Sequence, residues 1–240
     1  MPKGDKRSMF KKRFAREAKY FGLRDPYLLK VCKGKSVLHV GCTDWPFVKQ
    51  AFDDGTLLHS QLKGVTNNLI GIDIDVEGVQ FMEKLIPGKY ISGNLTDSGI
   101  RKKILANSFD IILVPDVIEH VPNQYDFIDG LIELSKETGS EIIITTPNVY
   151  ALKSFLAALL GLDFTHTDHR LFHNETTLTT SFRTDFKLEK TKLSFSYSSR
   201  DINARYGFAL SLISRAMDIL FYVKPYLADT IILRLKPSTS

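Results

Sequence analysis

The chain has 240 residues, enough for one sizeable α/β domain with a modest extension. Its 43% hydrophobic and 25% charged content excludes a disordered or fibrous protein. Two cysteines, Cys32 and Cys42, exclude a disulfide framework and a zinc cluster and point to a reducing compartment, the cytoplasm. The net charge of +5 is concentrated before residue 25, from Lys3 to Arg24, with no apolar signal-peptide core, since Met9 and Phe10 sit among lysines and arginines.

Residues 1–30 read as a basic N-terminal helical arm. It is either a solvated tail or an arm for a polyanion, nucleic acid or an acidic membrane surface. Tyr20 and Phe21 are thin aromatic support for base stacking. Residues 36–40 then form a strand, SVLHV, that stops at Gly41. Thr43 and Asp44 are candidate N-caps for a helix carrying Phe47, Val48, Ala51 and Phe52, with Pro46 in its first turn. Further strands are expected at 69–73, 89–92, 109–114 and 141–145, with helices at about 76–86, 98–106 and 125–136 between them. This alternation argues a Rossmann-like, doubly wound α/β sheet. Beyond it, helical insertions at about 148–185 and 204–223 and strands at 188–197 and 230–235 complete one domain over 31–240. The apolar stretch around Ile219–Val223 is too short to span a bilayer.

The turn at Gly41 is the first functional signal, because open α/β sheets hold nucleotide-like ligands where the first strand meets its helix. A pyrophosphate would require more glycines than this turn has. Thr43 stands where a G-x-G-x-x-G pattern has its second glycine, which argues against an NAD-dependent enzyme. A carboxylate at the end of the second strand, Asp73, can accept the hydroxyl hydrogens of a ribose, whereas Asp75 reads as a helix N-cap. Asn94 can meet a base edge, with Leu95 packing on the ring.

The run DVIEHV places Asp116, Glu119 and His120 at i, i+3 and i+4, on one face if helical. His166, Asp168, His169 and Arg170 follow the fifth strand. Three readings stay open. His120 or His169 is a general base; Glu119, His120 and His169 bind a divalent metal; or His120 and DHRLF serve the fold alone.

Taken together, these segments resemble the class I S-adenosylmethionine-dependent methyltransferases, motif by motif over roughly 35–147. The D-x-x-E-H run resembles the branch containing small-molecule and sugar O-methyltransferases, ubiquinone-pathway enzymes and small-RNA 2′-O-methyltransferases. The resemblance implies a seven-stranded, mostly parallel sheet with an antiparallel C-terminal strand, and S-adenosylmethionine as cofactor. It puts the methionine portion on Gly41, Cys42, Thr43 and Asp44, the ribose on Asp73 with Ile74 beside the adenine, and the adenine amino group on Asn94 with Leu95. Pro115, Asp116 and Val117 would line the methyl-donor end. His39, Thr43 and Asn94 depart from the family's acid, second glycine and aspartate. The expected activity is O-methylation of a small molecule or glycan precursor. RNA 2′-O-methylation and a non-catalytic binding domain are the alternatives. Phe155, Leu156, Leu159, Leu160 and Phe164, with the apolar residues of helix 204–223, read mostly as ordinary core, with a lid or homodimer face as the alternative.

Overall fold

Continuous apolar runs become the central strands because both faces of the sheet are covered, so neither pleat can be polar. The computed structural model describes residues 18–163, 165–182, 188–197 and 208–237. In chain order these form β1 (Lys19–Leu23), α1 (Arg24–Cys32), β2 (Ser36–Val40), α2 (Val48–Asp53), α3 (Leu58–Lys63), β3 (Asn68–Asp73), α4 (Val76–Leu85), β4 (Lys89–Ser92) and α5 (Ser98–Leu105). Then come β5 (Ile111–Pro115), a 3-10 turn (Ile118–His120), α6 (Gln124–Thr138), β6 (Glu141–Pro147), α7 (Leu152–Leu159), α8 (Glu175–Ser181), β7 (Leu188–Tyr197), α9 (Phe208–Val223) and β8 (Thr230–Pro237).

The strands lie in the order β1-β7-β8-β6-β5-β2-β3-β4. All neighbours are parallel except β8, which runs antiparallel to both β6 and β7. On one face Leu38, Ile112, Val114 and Ile142 pack with Phe127, Ile128 and Leu131 of α6. On the other, Val37, Ile111, Leu113 and Ile143 meet Tyr27, Leu28, Leu58 and Leu62. The chain order reverses at β2, which has β5 on one side and β3 on the other. A crevice opens at the carboxyl ends of strands at such a reversal.

The expected α/β architecture is present, with three corrections. The sheet has eight described strands rather than seven, because Lys19–Leu23 of the expected helical arm is an edge strand. Its aromatics pack rather than remaining solvated: Tyr20 lies 5.6 Å from Phe221 and Phe21 4.7 Å from Tyr27 between ring centroids. The remainder of the arm, residues 1–17, lies outside the described residues, as do Phe164, 183–185 and 204–207 of the insertions. Thr43 and Asp44 do not cap a helix; α2 begins only at Val48, after Phe47, without a side-chain cap. The Thr43 hydroxyl donates to Asp73 instead. The short helix α3 has no cap or long periodic pattern to announce it, only Leu58 and Leu62 one turn apart.

Helix ends follow local chemistry. Asp75 accepts from Gly78 N at 2.7 Å and caps α4, and Gly139 at φ +70° ends α6 in the left-handed region. Inside α6, a Cβ at Gly130 would stand 2.9 Å from the Leu95 carbonyl oxygen, so α6 can approach the β4–α5 loop only through a glycine. Gly130→Ala should therefore destabilise the protein by about 1–3 kcal/mol in urea unfolding, although alanine is the better helix former by about 1 kcal/mol.

Candidate active site

A cavity of about 500 Å³ crosses the carboxyl ends of β2, β3 and β5. At its centre the chain leaves β2 through Gly41 at φ +69°, and a Cβ there would lie 2.4 Å from Val117 Cγ2. Both conformation and space therefore demand glycine. Gly41 N and Cys42 N donate to Ile72 O at 2.8 and 3.2 Å, which carries the loop across to β3.

On the β3 side, Asp73 Oδ2 accepts from Thr43 N at 3.0 Å and Thr43 Oγ1 at 2.9 Å, while Oδ1 accepts from Asp75 N at 3.1 Å. The carboxylate thus faces the cavity in a fixed orientation with acceptor capacity left on Oδ1. Asp44, Trp45, Phe47 and Ile74 line the same region, and Ile74 is 68% exposed. Asn94 and Leu95, expected at the adenine, do not line the cavity. The Asn94 amide oxygen accepts from Thr96 N at 3.0 Å, and Leu95 is buried in the main core. That bond is an Asx turn, which aims the amide oxygen at its own β4–α5 loop.

On the β5 side, Asp116 adopts φ +51°, the one non-glycine residue in the left-handed region among the described residues. Asp116 Oδ2 accepts from Arg24 Nη1, and Oδ1 accepts from Thr145 Oγ1 at 2.7 Å. Arg24 also donates from Nε to Asp25 at 2.7 Å. Burial opposes charge on Arg24, but the fields and hydrogen bonds of Asp116 and Asp25 outweigh it and raise its pKa.

The expected helical face is instead the 3-10 turn, with Asp116 placed before it by its left-handed conformation. The grouping survives by a different route. Glu119 is 1% exposed; its Oε2 accepts from Thr146 Oγ1 at 3.0 Å and its Oε1 has no partner among the described residues. Burial first, then repulsion from Asp116, pushes its carboxyl up to about 8.

The loop after α7 is pinned beside this turn. Arg170 N donates to Glu119 O at 2.9 Å, and His120 Nδ1 lies 3.2 Å from Asp168 O. A carbonyl only accepts, so Nδ1 carries the hydrogen and Nε2 keeps its lone pair. His169 stacks edge-on against His120 at 4.8 Å, with His166 5.6 Å from His169. Burial, then the neighbouring His120 and His166, lower the pKa of His169.

One oxygen of Glu119 and one nitrogen each of His120 and His169 lie within 4.8 Å of one another. The partnerless Glu119 Oε1 and a mixed N,N,O donor set fit a divalent cation of the Mn²⁺-to-Zn²⁺ series.

Beneath the cavity, His39 and His59 stack with Nδ1 atoms 3.0 Å apart. Burial lowers both, His59 to about 4, so neither brings a charge to the floor at neutral pH. Motif reading missed Arg24, His59, Thr145 and Thr146. Only a buried basic residue opening a helix could have signalled Arg24, and the two threonines look like ordinary strand residues.

No family model matches the sequence, and no curated protein matches it. Solved structures do match in fold. The small RNA methyltransferase HEN1 shares 18% identity at a TM-score of 0.55, over 90% of this chain and 25% of that one. The methyltransferase domain of bacterial CtHen1-C shares 15% at 0.54, over 89% and 94%. The YcgJ protein of Bacillus subtilis shares 12% at 0.51, over 90% and 98%. The chain has the class I methyltransferase fold.

The raised Glu119 pKa makes stability pH-dependent. The native state holds its proton above pH 4.5, where the unfolded chain has released it, so stability falls as pH rises from about 4.5 toward about 8. Glu119→Gln should remove that slope, up to about 1.4 kcal/mol per pH unit, in denaturation curves collected across the window.

Proposed function

We propose that this chain is an S-adenosylmethionine-dependent methyltransferase that methylates a hydroxyl oxygen of a small molecule or glycan precursor. The reading starts from the class I fold and rests on one observation: a single cavity carries Asp73 at one side and Glu119, His120 and His169 at the other. A nucleoside sulfonium lying along the strand tips would give its ribose hydroxyls to Asp73 and its adenine to Ile74. Its methionine portion would follow Gly41, Cys42, Thr43 and Asp44, with the sulfonium beside Pro115, Asp116 and Val117.

Methyl transfer needs little covalent help, since the sulfonium is already activated; the protein aligns oxygen, carbon and sulfur and excludes water. The acceptor oxygen attacks the methyl carbon, the carbon–sulfur bond breaks to leave neutral S-adenosylhomocysteine, and the hydroxyl proton passes to His120 Nε2. The Nδ1 bond to Asp168 O orients that ring, and Arg24 with Thr145 holds Asp116 at the donor end. Glu119, His120 and His169 would together hold a divalent cation, whose chemistry is to acidify and orient the hydroxyl. That use of His120 excludes its use as base, because Nε2 has one lone pair.

RNA 2′-O-methylation is the second reading, favoured by a structural neighbour that is a small RNA methyltransferase and by the basic residues before position 25. A methyl-transfer assay with labelled cofactor against small RNA and against sugar hydroxyls separates the two acceptors.

Asp73→Ala should weaken S-adenosylhomocysteine binding about ten- to hundredfold by calorimetry, because a ribose hydroxyl loses an ionised acceptor. His120→Ala should lower kcat about 10²–10⁴-fold with that affinity unchanged. Turnover should survive EDTA dialysis; a loss restored by Mn²⁺ would assign the His120 lone pair to a cation instead.

A further inference from the structure

His39 and His59 take no part in the methyl transfer, yet the sheet is shaped to hold them. Both rings are 2% exposed, in places where an apolar side chain would pack without losing any hydration. Across the ladder from His39 stands Gly71 of β3. A Cβ there would lie 2.9 Å from His59 Cε1 and 2.7 Å from Cys42 Sγ, so β3 carries no side chain where the α3 imidazole sits. Tyr90 of β4 packs on the same imidazole, 5.1 Å away between ring centroids.

One nitrogen of His39 is accounted for and the other is not. Its Nδ1 lies 3.0 Å from His59 Nδ1, so a single hydrogen is shared between the two rings. Its Nε2 is buried without a partner among the described residues, and His39 lines the cavity. A polar atom left in that state costs about 1–3 kcal/mol, which a ligand in the cavity can offset.

The charges around the ring select the ligand. Burial first, then His59 and Arg24, lower the pKa of His39, so it meets a ligand as neutral imidazole. Arg24 is the one Lys or Arg in the cavity lining, and it is already bound to Asp25 and Asp116. A ring hydrogen at Nε2 would add to the positive charge of Arg24 in the same cavity, whereas a lone pair there would not. Asp116 accepts two hydrogen bonds and, as a carboxylate with about four lone-pair sites, keeps room for more. A lone pair and a carboxylate at one end of a cavity suit a ligand cation with several hydrogens to give.

We propose that His39 Nε2 accepts a hydrogen bond from the α-ammonium of the cofactor's methionine portion, and that His59 is a positioning residue that fixes the His39 tautomer. A lone pair on Nε2 requires the ring hydrogen on Nδ1, and His59 Nδ1 is the acceptor that keeps it there. The proposal rests on the methyltransferase reading and deepens it, because it assigns the end of the cofactor that the Gly41 loop alone does not hold.

The test compares S-adenosylhomocysteine with its desamino analogue, in which hydrogen replaces the α-amino group. In the full chain carrying isotope-labelled histidine, nuclear magnetic resonance should show His39 Nε2 as an unprotonated ring nitrogen. S-adenosylhomocysteine should shift that signal, and the analogue should shift it far less. By calorimetry the analogue should bind the wild type at least about tenfold more weakly. His39→Asn can reach His59 but not the Nε2 position; it should weaken S-adenosylhomocysteine about ten- to hundredfold and leave the analogue unchanged. His39→Gln, whose amide oxygen reaches that position, should recover most of the loss. His59→Phe should move the Nε2 signal of the ligand-free protein toward the protonated form, which a merely structural His59 would not do. Equal affinity for the two ligands in the wild type overturns the proposal and leaves the methyltransferase reading standing. So does a His39→Asn loss that falls equally on both ligands, or an Nε2 that carries its hydrogen from the start. No binding of S-adenosylhomocysteine by the wild type overturns both.

Discussion

The Arg24–Asp116 ion pair is the contact on which the site's geometry depends. It joins the first turn of α1 to the tip of β5, two places 92 positions apart in the chain. Asp116 accepts a left-handed backbone that costs a non-glycine residue about 1–2 kcal/mol, and its side-chain bonds to Arg24 and Thr145, with its backbone N donating to Thr145 O at 2.9 Å, hold it there. The same turn of backbone sends the chain straight from the strand into the 3-10 turn, which delivers Glu119 and His120 to the cavity wall. The α1 helix is therefore part of the site's machinery rather than a peripheral arm.

Beneath that ion pair two buried imidazoles stay uncharged. His39 and His59 are neutral because burial removes the water that would solvate an imidazolium. This gives a physical sense to His39, where the resembled family has an acid. Arg24 is already balanced by Asp25 and Asp116, and a third carboxylate beneath it would lack a partner. Glu119 is held toward its protonated form by burial and by Asp116. A buried carboxyl that titrates near neutrality beside two histidines suits proton movement.

The strand tips were legible because their chemistry is local. A β-branched run ending in glycine, and an aspartate ending the next strand, specify a turn and an acceptor whatever surrounds them, and Gly41 and Asp73 stand where they were expected. Asn94 lies outside the cavity lining with its amide oxygen turned to Thr96 N of its own loop, a local bond that its spacing conceals. Asp116, Glu119 and His120 were grouped on the premise of a helix and were brought together by a 3-10 turn, so the grouping held while its geometry did not.

The sequence by itself determined the alternation of strands and helices, the glycine exit at β2 and the cluster of acids and histidines after β5, since each follows from periodicity or spacing within a few residues. It could not specify that residues 19–23 close the sheet edge, that Arg24 reaches Asp116, or that the segment from His166 to Arg170 folds back on Glu119. Those depend on which surfaces remain uncovered once the sheet has formed. Pairing across some ninety positions of chain is decided by the free edge and the buried charge that the tertiary structure leaves to be satisfied.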